Sequence, residues 1–138
     1  MAERAHSQRV EELRIHSGGN GHSFEVVLDP DSGEIVRKHF PPAGGGVVKE
    51  VRLRPSAFAW GWFRADLARA GVFSWEGRYD ESGVFVFGTQ EALPRRGWSV
   101  VIDDGEHVCV ASGSRGYPPK WRDFCLAVSA LTGGLAFD

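Results

Sequence analysis

The chain has 138 residues, 42% hydrophobic and 25% charged, with 16 basic against 18 acidic side chains and a formal charge of -2. That length and balance fit one ordinary globular domain, which buries roughly 68% of its unfolded surface and needs neither disulfide nor metal to close its core. Near-neutrality supplies no broad field for nucleic acid or an anionic membrane, the cysteines make no disulfide framework, and no apolar run approaches the roughly 18 residues of a membrane span.

The polar start, Met1 to Gln8, lacks the apolar stretch of a secretory signal and is expected to be disordered. A reduced, cytoplasmic protein is the expectation. Leu13 and Ile15 alternate with Glu12, Arg14 and His16, which predicts a half-buried strand, with a short helix through Val10 and Leu13 as the alternative. Ser17-Gly18-Gly19-Asn20-Gly21 predicts a break. Phe24, Val26 and Leu28 then share one face of a second strand. Asp29-Pro30-Asp31-Ser32-Gly33 turns it, and Glu34 to Phe40 returns as a hairpin partner. Pro41 to Gly46 reads as an internal loop, and Val47 to Arg54 alternates as a further short strand.

Ser56 is placed to cap a helix that ends before Gly71. Ala59, Trp62, Phe63, Leu67 and Ala70 fall on one helical face, with Phe58 and Trp60 beside it. So broad a stripe predicts a helix covered on more than one side. Val72 to Tyr79 alternates as a strand, whereas residues 84–97 fit either a strand plus loop or one long surface loop. Trp98 to Ile102 and His107 to Ala111 flank Asp104-Gly105, the signature of a two-residue hairpin turn. Centred there, the turn pairs Ile102 with His107, Val100 with Cys109 and Trp98 with Ala111. The corner Ser112 to Phe124 carries Gly113, Gly116, Pro118 and Pro119 into a closing helix, whose inner stripe is Trp121, Phe124, Cys125, Val128 and Leu131. Gly133-Gly134 stops it, and Leu135 to Phe137 is expected to lie back on the core.

Chemical motifs are weak throughout. His107 and Cys109 share a side but lack the third and fourth ligands zinc requires, so buried cysteines are the better account. Ser114, in Gly113-Ser114-Arg115-Gly116, is one residue short of a nucleophile elbow. Lys120, Arg122 and Arg115 surround a helix start that could take an anion, but Pro118 and Pro119 remove two N–H donors there. Asp103, Asp104 and Glu106 read as turn residues and not as paired acids. No catalytic residue, metal or cofactor is expected. Arg95, Arg96, Arg115, Tyr117 and Lys120 make the candidate binding surface, for a protein partner and not for nucleic acid. The alternative is a small-molecule or enzymatic pocket near His107, Arg115 and Tyr117.

Phe73 to Tyr79, Gly88-Thr89-Gln90, Trp98 to Ile102 and Gly113 to Phe124 together resemble a group of small uncharacterised bacterial proteins with a Gly-Ser-Asn-x-Tyr-Pro corner before the last helix. This chain has Arg115 where that pattern has Asn, and it carries inserted residues between Gln90 and Trp98. The resemblance implies a compact α+β domain and no catalytic residue. Ile15-His16-Ser17-Gly18-Gly19 also resembles the opening strand of emfourin-like metalloprotease inhibitors, which makes protease inhibition a further expectation. The combined expectation is a single α+β domain: an antiparallel sheet of about six strands with two helices on one face.

Overall fold

The structure, a computed structural model, describes residues 9–19, 22–42, 46–79, 97–114, 116–135 and 137. Expectations that fall on residues 1–8, on most of 84–97 and on Arg115 lie outside the described residues. The fold is α+β, as its alternation patterns predict, and the described residues form one seven-stranded sheet in the order β4-β3-β2-β1-β6-β7-β5. The strands are β1 Glu12–Gly19, β2 His22–Leu28, β3 Ile35–Phe40, β4 Lys49–Leu53, β5 Arg78–Tyr79, β6 Gly97–Asp103 and β7 Val108–Gly113. Among the described residues two helices, α1 Ala57–Ala70 and α2 Trp121–Leu131, pack against each other and on the same side of the sheet.

Period-two alternation sets the inner face. Leu13 opposes Ile102, Ile15 opposes both Val26 and Val100, and Ile102 opposes Cys109. All are buried. A one-residue slip would turn every one of them to solvent, so the register is strongly held. Every pairing is antiparallel except that of β5 with β7. β1 runs on through Ser17, Gly18 and Gly19, where a break was expected, because two neighbours clamp it: Ser17 opposes Phe24 on one side and Trp98 on the other.

α1 begins and ends where its caps predict. The Ser56 hydroxyl accepts from the Ala59 N–H at 3.1 Å, and Gly71 closes the helix at φ 66. Its phase differs from the expected one. Trp60, Phe63, Leu67 and Ala70, spaced three and four apart, face the core, while Trp62 and Phe58 point to solvent. The helix is therefore covered on one side and not on several. After Gly71 the chain makes a 3-10 turn over Val72–Ser74, and only Arg78–Tyr79 is strand, in place of the longer strand expected from Val72. α2 buries the predicted stripe in full, and Phe137 returns to the core at 2% exposure.

The β6–β7 hairpin is shifted by two residues from the two-residue turn. Ile102 pairs with Cys109, Val100 with Ala111 and Trp98 with Gly113, leaving a four-residue loop, Asp104 to His107. Side-chain acceptors decide this. Asp103 Oδ1 takes the Gly105 N–H at 2.8 Å, and Asp104 Oδ1 takes those of Glu106 at 2.8 Å and His107 at 2.6 Å. A shift of two preserves the faces, so the core is unchanged, but His107 leaves the ladder.

Candidate functional site

The C-terminal corner is built on aromatic packing. Trp98, on the inner face of β6, lies 4.8 Å from the Trp121 ring and 6.1 Å from Trp75, and Trp121 lies 5.4 Å from both Tyr117 and Phe124. Indole N–H groups tie this cluster to the loop: Trp98 Nε1 donates to Gly116 O at 2.8 Å and Trp75 Nε1 to Pro119 O at 3.2 Å. Trp121 Nε1 is buried with no hydrogen-bond partner among the described residues. Gly113 is required by proximity and not by backbone angle. A Cβ there would stand 2.3 Å from Tyr79 O, 2.7 Å from Gly116 O and 2.7 Å from Trp98 Nε1. The corner is thus a packed joint between sheet and helix.

Of the expected binding residues, Tyr117 and Lys120 are described, and Arg95, Arg96 and Arg115 are not. Tyr117 is 48% exposed, with its ring stacked 6.4 Å from Trp98. Lys120 sits at the N-cap of α2 with a left-handed φ of 61 and donates from Nζ to Arg69 O at 3.1 Å, tying the start of α2 to the end of α1. The Lys120 side chain makes no capping hydrogen bond to α2, in contrast to the Ser56 hydroxyl at the start of α1. Asp123, in the first turn of α2, complements the helix dipole there.

His107 and Tyr117 lie beyond opposite ends of β7, a six-residue strand spanning about 20 Å. They do not meet. His107 packs its ring 5.4 Å from Phe73 and approaches Asp104 Oδ2 at 3.4 Å. Asp104 is the hub of that end, with a side chain only 10% exposed. Partial burial pushes its carboxyl up, but the N–H groups of His107 and Glu106, the His107 ring and Arg64 outweigh it and leave the group more acidic than usual. Arg64 also donates to Asp104 O at 3.0 Å, fastening α1 to the hairpin tip. Cys109 faces the core, where burial pushes its thiol up to about 11, unsuited to act as a nucleophile or ligand at neutral pH.

Two arrangements escape sequence reasoning. On β2 and β3, His22 Nδ1 and His39 Nε2 are 2.9 Å apart, and the His39 ring stacks 4.7 Å from Phe24, over which Arg37 lies at 5.2 Å. Desolvation lowers the His39 pKa, and the charges of His22, Arg37 and Lys49 lower it further. Two imidazoles fall short of the three protein ligands of a catalytic zinc, and no cluster of three or more His, Cys, Asp or Glu occurs among the described residues. Cross-strand pairing alone signals this stack, and pairing is not legible one strand at a time.

The second arrangement is on α1. Phe58 and Trp62, 82% and 67% exposed, stand one turn apart and line a shallow apolar depression with Ala57 and Gly61. The apolar residues around α1 conceal which of its aromatics point outward. No family model matches the chain, and no curated protein matches it either. Among the described residues, no helix is long and apolar enough to cross a membrane.

Proposed function

We propose that the chain is a non-enzymatic protein-binding module that engages its partner through the outward face of α1. One observation carries the reading: Phe58 and Trp62 expose their rings on the side of the helix opposite Trp60, Phe63 and Leu67. Residues four apart on a helix stack one above the other, so the two rings form a single apolar ridge. Large aromatics, Trp above all, are the commonest anchors of protein interfaces. Fully covering such a ring contributes about 1.5–3 kcal/mol, and the fold draws only a minor part of that while the two face water. A partner presenting an apolar groove, with room for one helical ridge, fits this face.

The test is a photo-crosslinking residue substituted at Trp62 in the native cell. The reading expects one discrete adduct, lost when Phe58→Ser is added, with a thermal melt within about 0.5 kcal/mol of wild type because both positions are on the surface. Absence of an adduct, or unfolding caused by Phe58→Ser and Trp62→Ser, would count against it. Tyr117 and Lys120, together with Arg95, Arg96 and Arg115, remain a second proposed contact surface, tested by Tyr117→Ala in the same crosslinking strain.

A further inference from the structure

From the charge order along β4 we infer that the protein forms a two-fold dimer by pairing this edge strand with its own copy. Among the described residues β4 has one neighbour, β3, and its other side ends the sheet. It is open to water: Lys49, Glu50, Val51 and Arg52 are all exposed, as are Val47 and Val48 at 79% and 50% just before it. No proline or positive φ interrupts Lys49–Leu53, so the strand can accept a partner.

Charges on an edge normally deter pairing. Here they leave one arrangement open. A two-fold axis normal to the sheet sets β4 antiparallel to its copy and keeps the helices of both subunits on one side. Opposed residues must then share a face, so the axis passes through a residue and not between two. Centred on Val51, it sets Val51 against Val51 of the partner subunit, Glu50 against Arg52 of the partner subunit, and Arg52 against Glu50 of the partner subunit. All five residues of β4 are paired. Centring on Glu50 opposes two glutamates, centring on Arg52 opposes two arginines, and centring on Leu53 opposes Arg52 to Arg54 of the partner subunit. A parallel in-register pair also sets like against like. The sequence is self-complementary in one register alone.

Glu50 and Arg52 are already aligned for it. They lie on the face turned away from the helices, held together at 3.0 Å, with Lys38 at 4.0 Å from Glu50 on β3. Pairing would extend that row into alternating charges across the axis and add a main-chain ladder. The inference stands on β4 alone and does not depend on the α1 face.

Sedimentation equilibrium of the full chain tests it by charge reversal. Wild type should dimerise. Glu50→Arg and Arg52→Glu should each weaken the dimer about tenfold or more, because both symmetric pairs become like-charged. The double variant E50R/R52E should dimerise again, and a mixture of the two single variants should form a heterodimer. The mixture is also a folding control, since neither unfolded partner could join it. Raising the salt should weaken association. A wild type that stays monomeric throughout the micromolar range overturns the inference, as does a dimer indifferent to both reversals.

Discussion

Gly113→Ala is the sharpest test of the corner that joins β7 to α2. The added Cβ would sit 2.3 Å from Tyr79 O, about 1 Å or more inside normal contact distance, so β5 must move off β7. Its other two obstacles, Gly116 O and Trp98 Nε1, are the two ends of one 2.8 Å hydrogen bond, so relieving the clash pulls that bond apart as well. Overpacking costs about 1–3 kcal/mol and the hydrogen bond about 1 kcal/mol, for a total of about 2–4 kcal/mol. In a domain of this size that lowers Tm by about 8–16 °C. Gly77→Ala is the matched control, because its Cβ would meet nothing nearer than Val110 O at 3.7 Å. Urea titration of both variants, read by tryptophan fluorescence, gives the two free energies. A Gly113→Ala variant as stable as Gly77→Ala would show that β5 and the 116–119 turn do not pack on β7 as described.

Trp121→Ala should cost about 3–5 kcal/mol as a core truncation, while Trp121→Phe should cost much less, since it removes an indole N–H that has no partner among the described residues; equal losses in a thermal melt would remove the orphan donor from the account. Asp104 is more acidic in the fold than in the unfolded chain, so its contribution is full above about pH 4 and is lost as pH falls through its lower folded pKa. Melts from pH 5 to pH 2 should therefore fall less steeply for Asp104→Asn than for wild type, and parallel curves would contradict the hub. At pH 8 a thiol with pKa about 11 is ionised to roughly one part in a thousand, so Cys109 should resist an alkylating reagent until the protein is unfolded; rapid native labelling at Cys109 in a peptide map would refute its burial.

What the sequence disclosed was local. Ser56 and Gly71 bracket α1 because capping chemistry acts within a turn, and the turn at Asp29–Gly33 fixes the β2–β3 hairpin in the same way. The α2 stripe is readable because its exposed residues are Arg122, Asp123, Leu126 and Ala130, of which only Leu126 is a large apolar side chain. α1 has no such contrast. With Phe58, Trp60, Trp62 and Phe63 crowded into two turns, the pattern leaves its phase open, and the inward choice of Trp60 is made by tertiary packing. The pattern therefore does not reveal the exposed pair Phe58 and Trp62. The hairpin register departs from the two-residue turn for another reason: Asp103 and Asp104 each capture backbone N–H groups, which outweighs the pull of Asp-Gly toward a tighter turn. The Val72 segment alternates in composition, yet Gly71 at φ 66 launches it into a 3-10 turn, which composition does not encode.

The β1–β6 pairing has a consequence for how fast this chain can fold. β1 to β4 form a meander of neighbours, and β6 with β7 forms a hairpin, so each group can assemble from short loops. Joining them requires Glu12 to find Asp103 and Gly18 to find Gly97, across more than half of the sequence. The entropy of closing so long a loop is spent before any of the hydrophobic burial at Ile15 and Val100 returns it. The seam should therefore set the folding rate. Substitutions that weaken Leu13 against Ile102 would slow folding, and those confined to the outer meander would mainly hasten unfolding.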